Sequence, residues 1–390
     1  MLRRELKFYW IALSADFAYM LFVFTVTRLM AENQAGLMAL GVLGAVSSLG
    51  FGLGAPIGGW ASDVWGGRRV VAVGAAVQAL VLLACIQWHS DHQWFYLYAP
   101  IGGASVGVML PPVISWLTRG GLAQLGPRLQ GRRLFRFCLS WNLGMIAGQV
   151  AGGWLFPSGP TLPLLVGLVL MLGVLVRTAF PIAAPTPAAL PPSETEAVVV
   201  PESARTFVYL GWLANVASAM GVSVIIHLFP HLATDLEISA PIHGLMVATN
   251  RSVVIVTYSL MFWLTFWRYR FSAALLAQLC ALAGLTLLAT SRTVSFLTLG
   301  LILFALLSGY NYFSSIFYST TTFDRKRQGL VSGMHEASLA VGFAAGALGG
   351  GLVSLWLGSR APYHTVAVVV LVTTAVQSWV HWKGRRRHTS

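Results

Sequence analysis

Residues 59–69 read Gly59-Trp60-Ala61-Ser62-Asp63-Val64-Trp65-Gly66-Gly67-Arg68-Arg69. They form a short polar break between two long apolar runs. A carboxylate and a pair of arginines are costly to hold beside the apolar core of a bilayer, so such residues are usually functional. The break therefore indicates a turn between two membrane helices with a role beyond reversing the chain.

The composition of the whole chain agrees with a membrane location. The chain has 390 residues, of which 56% are hydrophobic and 9% charged, and its mean hydropathy is +0.73. A soluble domain carries roughly a quarter charged residues. The apolar runs reach the roughly 20 residues that a spanning helix needs, and they lack the alternation of a membrane β-barrel. These features predict an all-α membrane protein.

Twelve spans are predicted, in two halves of six. The spans are 8–30, 36–60, 70–88, 94–118, 134–157, 160–182, 206–230, 241–264, 271–290, 294–318, 329–352 and 362–382. Residues 183–205 are rich in proline and small residues and carry three glutamates, so they cannot span. We expect an N-terminal six-helix bundle (1–182), a cytoplasmic linker (183–205) and a C-terminal bundle with a basic tail (206–390).

The basic residues set the predicted topology. With the N-terminus inside, only Arg28, Arg292 and Arg360 of the 25 lysines and arginines fall on the outer side, and Arg251 falls within a span. This is the positive-inside pattern, so both termini are predicted in the cytoplasm and the location is the plasma (inner) membrane. The net charge of +13 is thereby assigned to topology and lipid contact, and nucleic acid is not expected as a partner.

A glycine repeat links the two halves. Span five carries Ser140, Gly144, Gly148, Gly152 and Gly153, and span eleven carries Ser338, Gly342, Gly346, Gly350 and Gly351 at one constant offset. Glycine at every fourth position lines one helix face and lets two backbones approach closely. The recurrence in the same ordinal span predicts duplicated bundles related by a pseudo-two-fold axis.

Together these features resemble the twelve-helix major facilitator superfamily over nearly the whole chain. The family's loop between helices 2 and 3 is Gly-x-x-x-Asp-(Arg/Lys)-x-Gly-(Arg/Lys)-(Arg/Lys). Gly59, Asp63, Gly66 and Arg68 match this pattern, Val64 and Gly67 depart from it, and Arg69 follows directly after it. The resemblance implies that these residues gate the cytoplasmic side, with Asp63 capping a helix of the other half.

Two departures concern drug/proton antiport. Span five is similar to the antiporter signature Gly-x-x-x-Gly-Pro-x-x-Gly-Gly, but Gln149 stands in place of the proline. In span four, Ala99 occupies the position where proton antiporters place an arginine.

The second half has its own counterpart of the loop at residues 59–69, which is Trp267-Arg268-Tyr269-Arg270. This loop has no acidic residue or glycine, which predicts that any second latch is degenerate.

Three ionisable residues lie deep in predicted spans: Asp16, Arg251 and Glu336. Each costs about 2.5 kcal/mol or more, so it faces a cavity or a partner. We expect Asp16 and Glu336 to bind protons or cations, and Arg251 to hold an anionic solute group or to pair with Glu336. A static Arg251–Glu336 pair that only fixes packing is the alternative.

Neutral polar residues complete the predicted site. Tyr19 lies near Asp16, Asn215 is on span seven, and Asn311 is on span ten between two tyrosines. Aromatic, hydroxyl and amide groups suit an amphipathic or planar organic solute, although such aromatics often only pack. His227, His231 and Asp235 have spacing that can bind a divalent metal, but Pro230 interrupts it.

The predicted function is secondary active transport of a small solute by alternating access, with protons as the expected coupling ion and with export preferred. No nucleotide-binding loop occurs, no cofactor or resident metal is expected, and the chain is not predicted to be an enzyme. The alternatives are an uptake carrier or facilitator for an organic anion bound by Arg251, a divalent-metal exporter, and a sensor or lipid scramblase. A monomer in contact with membrane lipids is expected.

Overall fold

A computed structural model describes residues 2–88, 91–118, 127–180, 204–322 and 328–387. The helices are α1 (Leu2–Glu32), α2 (Leu37–Ala61), α3 (Gly67–Trp88), α4 (Phe95–Thr118), α5 (Pro127–Leu155), α6 (Thr161–Ala179), α7 (Ala204–Ser223), α8 (Phe229–Asp235), α9 (Ala240–Trp263), α10 (Phe271–Thr290), α11 (Val294–Thr322), α12 (Gln328–Leu357) and α13 (Ala361–Arg387). Short π-helices join α2 to α3 (Ser62–Gly66) and α7 to α8 (Val224–Leu228). The predicted all-α membrane fold is confirmed, and each predicted span falls on a helix.

Ten helical stretches in the described part of the chain are long and apolar enough to cross a membrane. One of them, Leu37–Trp88, is 52 residues long because the π-helix makes α2 and α3 continuous. The predicted loop at residues 59–69 is therefore wrong in detail: these residues are helical, and Gly66, whose φ is +83°, ends the π-helical turn. The predicted linker at 183–205 lies almost wholly outside the described residues.

The chain divides into two compact units. Unit 1 comprises Met1–Met30, Val46–Ala197 and Ala240–Ala248, and unit 2 comprises Ala31–Ala45, Val198–Ser239 and Thr249–Ser390. Each unit thus contains a short helical segment from the other part of the sequence. The division into bundles at 1–182 and 206–390 stays a prediction.

In unit 1, the glycines of α5 bring it against α1. A Cβ atom added at Gly144 would lie 2.3 Å from the carbonyl oxygen of Leu13, and one at Gly148 would lie 2.6 Å from that of Phe17. These separations are too short for any side chain, so the two backbones are in direct contact. Gly152 continues the same face and would meet the Phe24 ring at 2.9 Å.

In unit 2, the equivalent glycines of α12 bring it against α7. A Cβ atom at Gly342 would lie 2.6 Å from the carbonyl oxygen of Val216, and one at Gly346 would lie 2.2 Å from that of Met220. Gly350 follows on this face, 2.7 Å from a methyl carbon of Leu228. The interval along the chain from Leu13 to Val216 equals that from Phe17 to Met220, so α7 packs on α12 in the register of α1 on α5.

The same repeat extends to α2 and α9. A Cβ atom at Gly153 would lie 2.6 Å from the carbonyl oxygen of Ala240, within unit 1. In unit 2, a Cβ atom at Gly351 would lie 3.0 Å from the carbonyl oxygen of Leu37. The interval along the chain from Leu37 to Ala240 equals that from Leu13 to Val216. Gly153 therefore contacts a different helix from the other α5 glycines.

Candidate functional site

The first group of predicted site residues lies on α1 in unit 1. Asp16 is buried and lies close enough to Tyr19 for an electrostatic interaction. The hydroxyl of Tyr19 is 2.7 Å from the Oγ atom of Ser47 on α2, and its ring stacks on Phe22 with centroids 6.4 Å apart. A carboxylate and a phenol are thus held together on one helix face that is joined to α2.

The second group lies in unit 2, where α7, α11 and α12 meet. Asn215 is buried, and its amide donates to the Oγ atom of Ser338 at 2.9 Å. Ser338 in turn donates to the carbonyl oxygen of His335 at 2.6 Å. The Nδ1 atom of His335 is 3.0 Å from the Oγ atom of Ser315, and its ring meets Tyr312 edge-on at 5.0 Å. This His335 cluster (Asn215, Tyr312, Ser315, His335 and Ser338) joins three helices through polar groups.

Asn311 lies beside this cluster but faces a pocket. Its amide donates to the carbonyl oxygen of Ala214 at 2.9 Å, next to Asn215 in the chain. The pocket is small, with a cavity volume of about 30 Å³, and is lined by Phe207, Leu210, Gly211, Ala214, Phe271, Ala274, Tyr310, Asn311, Ser314, Tyr318 and Gln377. Since α10 and α13 supply part of its wall, this pocket lies between the helices of unit 2.

The two remaining charged candidates differ in environment. Arg251, on α9 in unit 2, is buried and has an interaction partner. Glu336, on α12, is exposed, although it directly follows the buried His335. The structure therefore brings Asp16 to Tyr19 and Asn215 close to Asn311, whereas Glu336 turns away from the cluster that its neighbour joins.

The predicted gating residues lie in the turn between α2 and α3. Asp63, Arg68 and Arg69 are all exposed. The Oγ atom of Ser62 donates to the carbonyl oxygen of Gly59 at 2.9 Å, which closes the π-helical turn. The positive φ of Gly66 ends that turn at a position where most side chains would be strained.

The corresponding connection between α9 and α10 is held by aromatic rings. Trp267 is only 2% exposed, and its indole N–H donates to the carbonyl oxygens of Met261 and Leu264 at 2.8 and 2.7 Å. These bonds satisfy carbonyl groups at the end of α9 that would otherwise have no partner. The rings around Trp267 are those of Tyr310, Phe313, Phe317 and Tyr318. Aromatic rings therefore hold this connection, and the degenerate latch stays a prediction.

Tyr269 fixes this connection from the other side. Its φ is +53°, and it follows Gly66 at the same interval that separates Leu13 from Val216, so both turns have a left-handed residue at the equivalent position. Its backbone N–H donates to the Tyr318 hydroxyl at 3.2 Å, which stabilises a conformation that is unfavourable for tyrosine.

The histidines of the π-helix Val224–Leu228 and of α8 do not share one site. His231 pairs with Asp235 at 3.0 Å, whereas His227 lies in a π-helix and its Nδ1 atom is 3.1 Å from the carbonyl oxygen of Ser223. No group of three metal-ligating side chains occurs in the part of the chain that the structure describes. Nearby, Arg360 donates to the carbonyl oxygen of Leu288 at 2.6 Å, and burial lowers the pKa of its guanidinium.

Sequence reasoning missed the roles of three residues. Ser47 carried no signal, because serine is common in apolar helices. The repeat identifies Ser338 as the counterpart of Ser140 but does not indicate what either residue binds. In the structure, Ser140 donates to the carbonyl oxygen of Tyr9 on α1. His335 carried no signal either, because it is adjacent to Glu336 and the sequence alone does not fix which of two neighbouring helix positions faces inward.

Comparisons with known proteins agree with this architecture. The family model of the Major Facilitator Superfamily matches residues 8–210 and 211–390. No curated protein matches the chain in sequence. Among solved structures, the nucleoside transporter NupG has a TM-score of 0.71 and 13% sequence identity, covering 96% of this chain and 98% of that one.

Two further solved structures are similar. The D-xylose-proton symporter has a TM-score of 0.68 and 14% identity over 94% of this chain and 96% of that one. A bacterial homologue of the human lysosomal transporter Spinster, inward-facing and unoccupied, has a TM-score of 0.67 and 14% identity over 95% of both chains. The family model matches almost the entire length of the chain, once in each half. The chain therefore belongs to the major facilitator superfamily of secondary transporters.

Proposed function

We propose that this protein couples the movement of protons to the transport of a small organic solute by alternating access. The observation that carries the proposal is the buried carboxylate of Asp16 beside Tyr19, which is bonded to Ser47. An ionisable group within a membrane helix is costly and normally marks an ion or proton pathway. Asp16 is the proton-binding residue in this proposal, and Glu336 is the second candidate.

Asn215 and Asn311 are proposed to bind the solute in unit 2, and Tyr19 is proposed as a solute-binding residue of unit 1. Asn215 and Asn311 are buried amides on neighbouring helices of unit 2, and Tyr19 supplies a phenol in unit 1. Amide and phenol groups bind hydroxyl and carbonyl groups, so a polar organic solute fits them better than a metal ion does. NupG is a nucleoside transporter and another similar structure is a D-xylose-proton symporter, which makes uridine and D-xylose the first solutes to test.

The similarity of span five to the antiporter signature, which would favour export, has a different explanation. Gly144 and Gly148 bring α5 against α1, and α12 repeats this contact with α7. Close helix packing accounts for both copies, so the pattern no longer favours a direction of transport. The alternative of an organic-anion carrier rests on Arg251, which already has an interaction partner.

The turn of Gly59, Asp63, Gly66, Arg68 and Arg69 is proposed to gate the cytoplasmic side. Its charged residues are exposed, so they can exchange one partner for another as the transporter changes state. A plasma (inner) membrane location, cytoplasmic termini and a monomer belong to the same proposal, supported by the distribution of basic residues.

Purified protein in liposomes that contain a pH-sensitive dye tests the proposal. Addition of uridine, D-xylose or members of a wider solute panel, with a pH gradient in either direction, should produce solute flux together with a change in internal pH. Asp16→Asn should keep solute counterflow but lose the pH change. A flux that moves no protons in the wild type removes the coupling claim, and the absence of flux for the whole panel removes the transport claim.

A further inference from the structure

His335 is among the most deeply buried polar residues of the described core, yet only one of its ring nitrogens is used. Its exposed fraction is 1%. The Nδ1 atom faces Ser315, whereas the Nε2 atom has no hydrogen-bond partner among the residues that the structure describes. Buried polar atoms are almost always paired, so an unpaired one in a helix junction requires an explanation.

The partner of Nδ1 determines which nitrogen carries the proton. The Ser315 hydroxyl has one bond in the described structure, the contact of 3.0 Å with His335. Because the hydroxyl hydrogen of Ser315 needs an acceptor, Ser315 donates this bond and Nδ1 of the neutral imidazole accepts it. Nε2 therefore carries the hydrogen and is a donor without an acceptor.

The groups around His335 hold its imidazole in one orientation, as is typical of a residue that binds a ligand. The Tyr312 ring meets the imidazole edge-on at 5.0 Å, and the His335 carbonyl oxygen is held by Ser338, which is bonded to Asn215. The imidazole is thus fixed in orientation before anything binds. Fixed donors in apolar surroundings bind an acceptor strongly because little ordering remains to be done.

We propose that His335 is a solute-binding residue whose Nε2–H donates a hydrogen bond to an oxygen acceptor of the transported solute, such as a carbonyl or hydroxyl oxygen. The proposal rests on the proposed transport function and adds to it a residue on α12. It also separates His335 from Glu336, which is exposed on another face of the same helix.

Access to position 335 during the transport cycle gives the first test. In a variant without Cys85, Cys138 and Cys280, a cysteine is introduced by His335→Cys, and a membrane-impermeant cationic thiosulfonate is added from both sides. His364→Cys, at an exposed position, and His227→Cys, at a buried one, are the controls. We expect position 335 to react within tenfold of the rate at 364 and far faster than 227, because a solute site opens to water.

Stability gives the second test. In the double variant His335→Leu/Ser315→Ala both hydrogen-bonding partners are removed, so the melting temperature should match that of the wild type or rise, since an unpaired donor has been removed as well. Asn250→Ala is the contrasting variant, because the Asn250 amide donates to the Leu301 carbonyl oxygen at 2.7 Å and should be needed for stability.

The two tests together leave no neutral result. A reactive position 335 with an unchanged or raised melting temperature supports the proposal. Reactivity more than tenfold below that at position 364, or a melting temperature below that of the wild type, overturns it. Diethyl pyrocarbonate modification of wild-type His335, measured by peptide mass spectrometry against His364 and His227, gives the accessibility result without any substitution. Solute flux in the wild type is measured separately, so failure of the transport proposal is distinguishable.

Discussion

The contact between α12 and α7 predicts a strong difference between two neighbouring glycines on one helix. A Cβ atom at Gly346 would lie 2.2 Å from the carbonyl oxygen of Met220, far inside the 3.4 Å at which ordinary contact begins. The obstacle is backbone, so no side-chain rotation relieves it. At Gly349, in the next turn of the helix, a Cβ atom would meet nothing within 4 Å. Gly346→Ala should therefore destabilise the protein, and Gly349→Ala should not.

The magnitudes follow from two opposing effects. Overpacking costs about 1–3 kcal/mol or more, whereas alanine is about 1 kcal/mol better than glycine in a helix interior. The backbone obstacle places Gly346→Ala at the upper end of the cost, which corresponds to a fall in Tm of about 5 °C or more at roughly 2–4 °C per kcal/mol. Gly349→Ala should raise Tm by a few degrees or leave it unchanged.

The assay is thermal unfolding of the purified proteins in one detergent, followed by intrinsic fluorescence and by circular dichroism. Gly148→Ala, the counterpart in α5, should behave like Gly346→Ala, because its Cβ atom would lie 2.6 Å from the Phe17 carbonyl oxygen. A Gly346→Ala protein that melts at or above the wild type refutes the direct backbone contact, and with it the common register of the two repeats.

Three further predictions concern other parts of the chain. Trp267→Ala should cost about 3–5 kcal/mol because a fully packed indole and two hydrogen bonds are lost, and Trp263→Ala, at a residue 72% exposed, should change the melting temperature little in the same detergent. Arg360→Gln should cost about 1.5–3 kcal/mol through loss of the charged bond to Leu288; melting temperatures check it, and an unchanged value contradicts it. Asp16→Asn should melt like the wild type yet abolish proton movement in liposomes, and proton coupling that survives the substitution would rule out Asp16 as the carrier.

The helices could be predicted from sequence because the bilayer sets their length. A run of about 20 apolar residues has one stable conformation there, which is why the predicted span 271–290 coincides with α10. The glycine repeat was also readable, since it defines one face of α5 and of α12. Its partners were not, because a pattern on one helix does not name the helix that it contacts: Gly153 contacts α9, whereas its neighbours contact α1.

The candidate site was less accessible to sequence reasoning. Asp16 could be singled out because a charge in an apolar run is conspicuous. His335 and Glu336 could not be ranked, since adjacent positions on a helix point about 100° apart and the sequence alone does not fix which one faces inward. The burial of Trp267 could not be predicted either, because tryptophan near a helix end usually lies at the membrane interface.

The two helix connections related by the repeat should respond to different properties of the surrounding solution. The turn at Asp63, Arg68 and Arg69 presents exposed charges, whose interactions weaken as the ionic strength rises. The cluster around Trp267 and Tyr269 is held by packed rings, which dissolved salt does not screen. Varying the salt concentration should therefore perturb the first connection more than the second, whose charged contact is the guanidinium of Arg268, 5.0 Å from the centroid of the Phe317 ring.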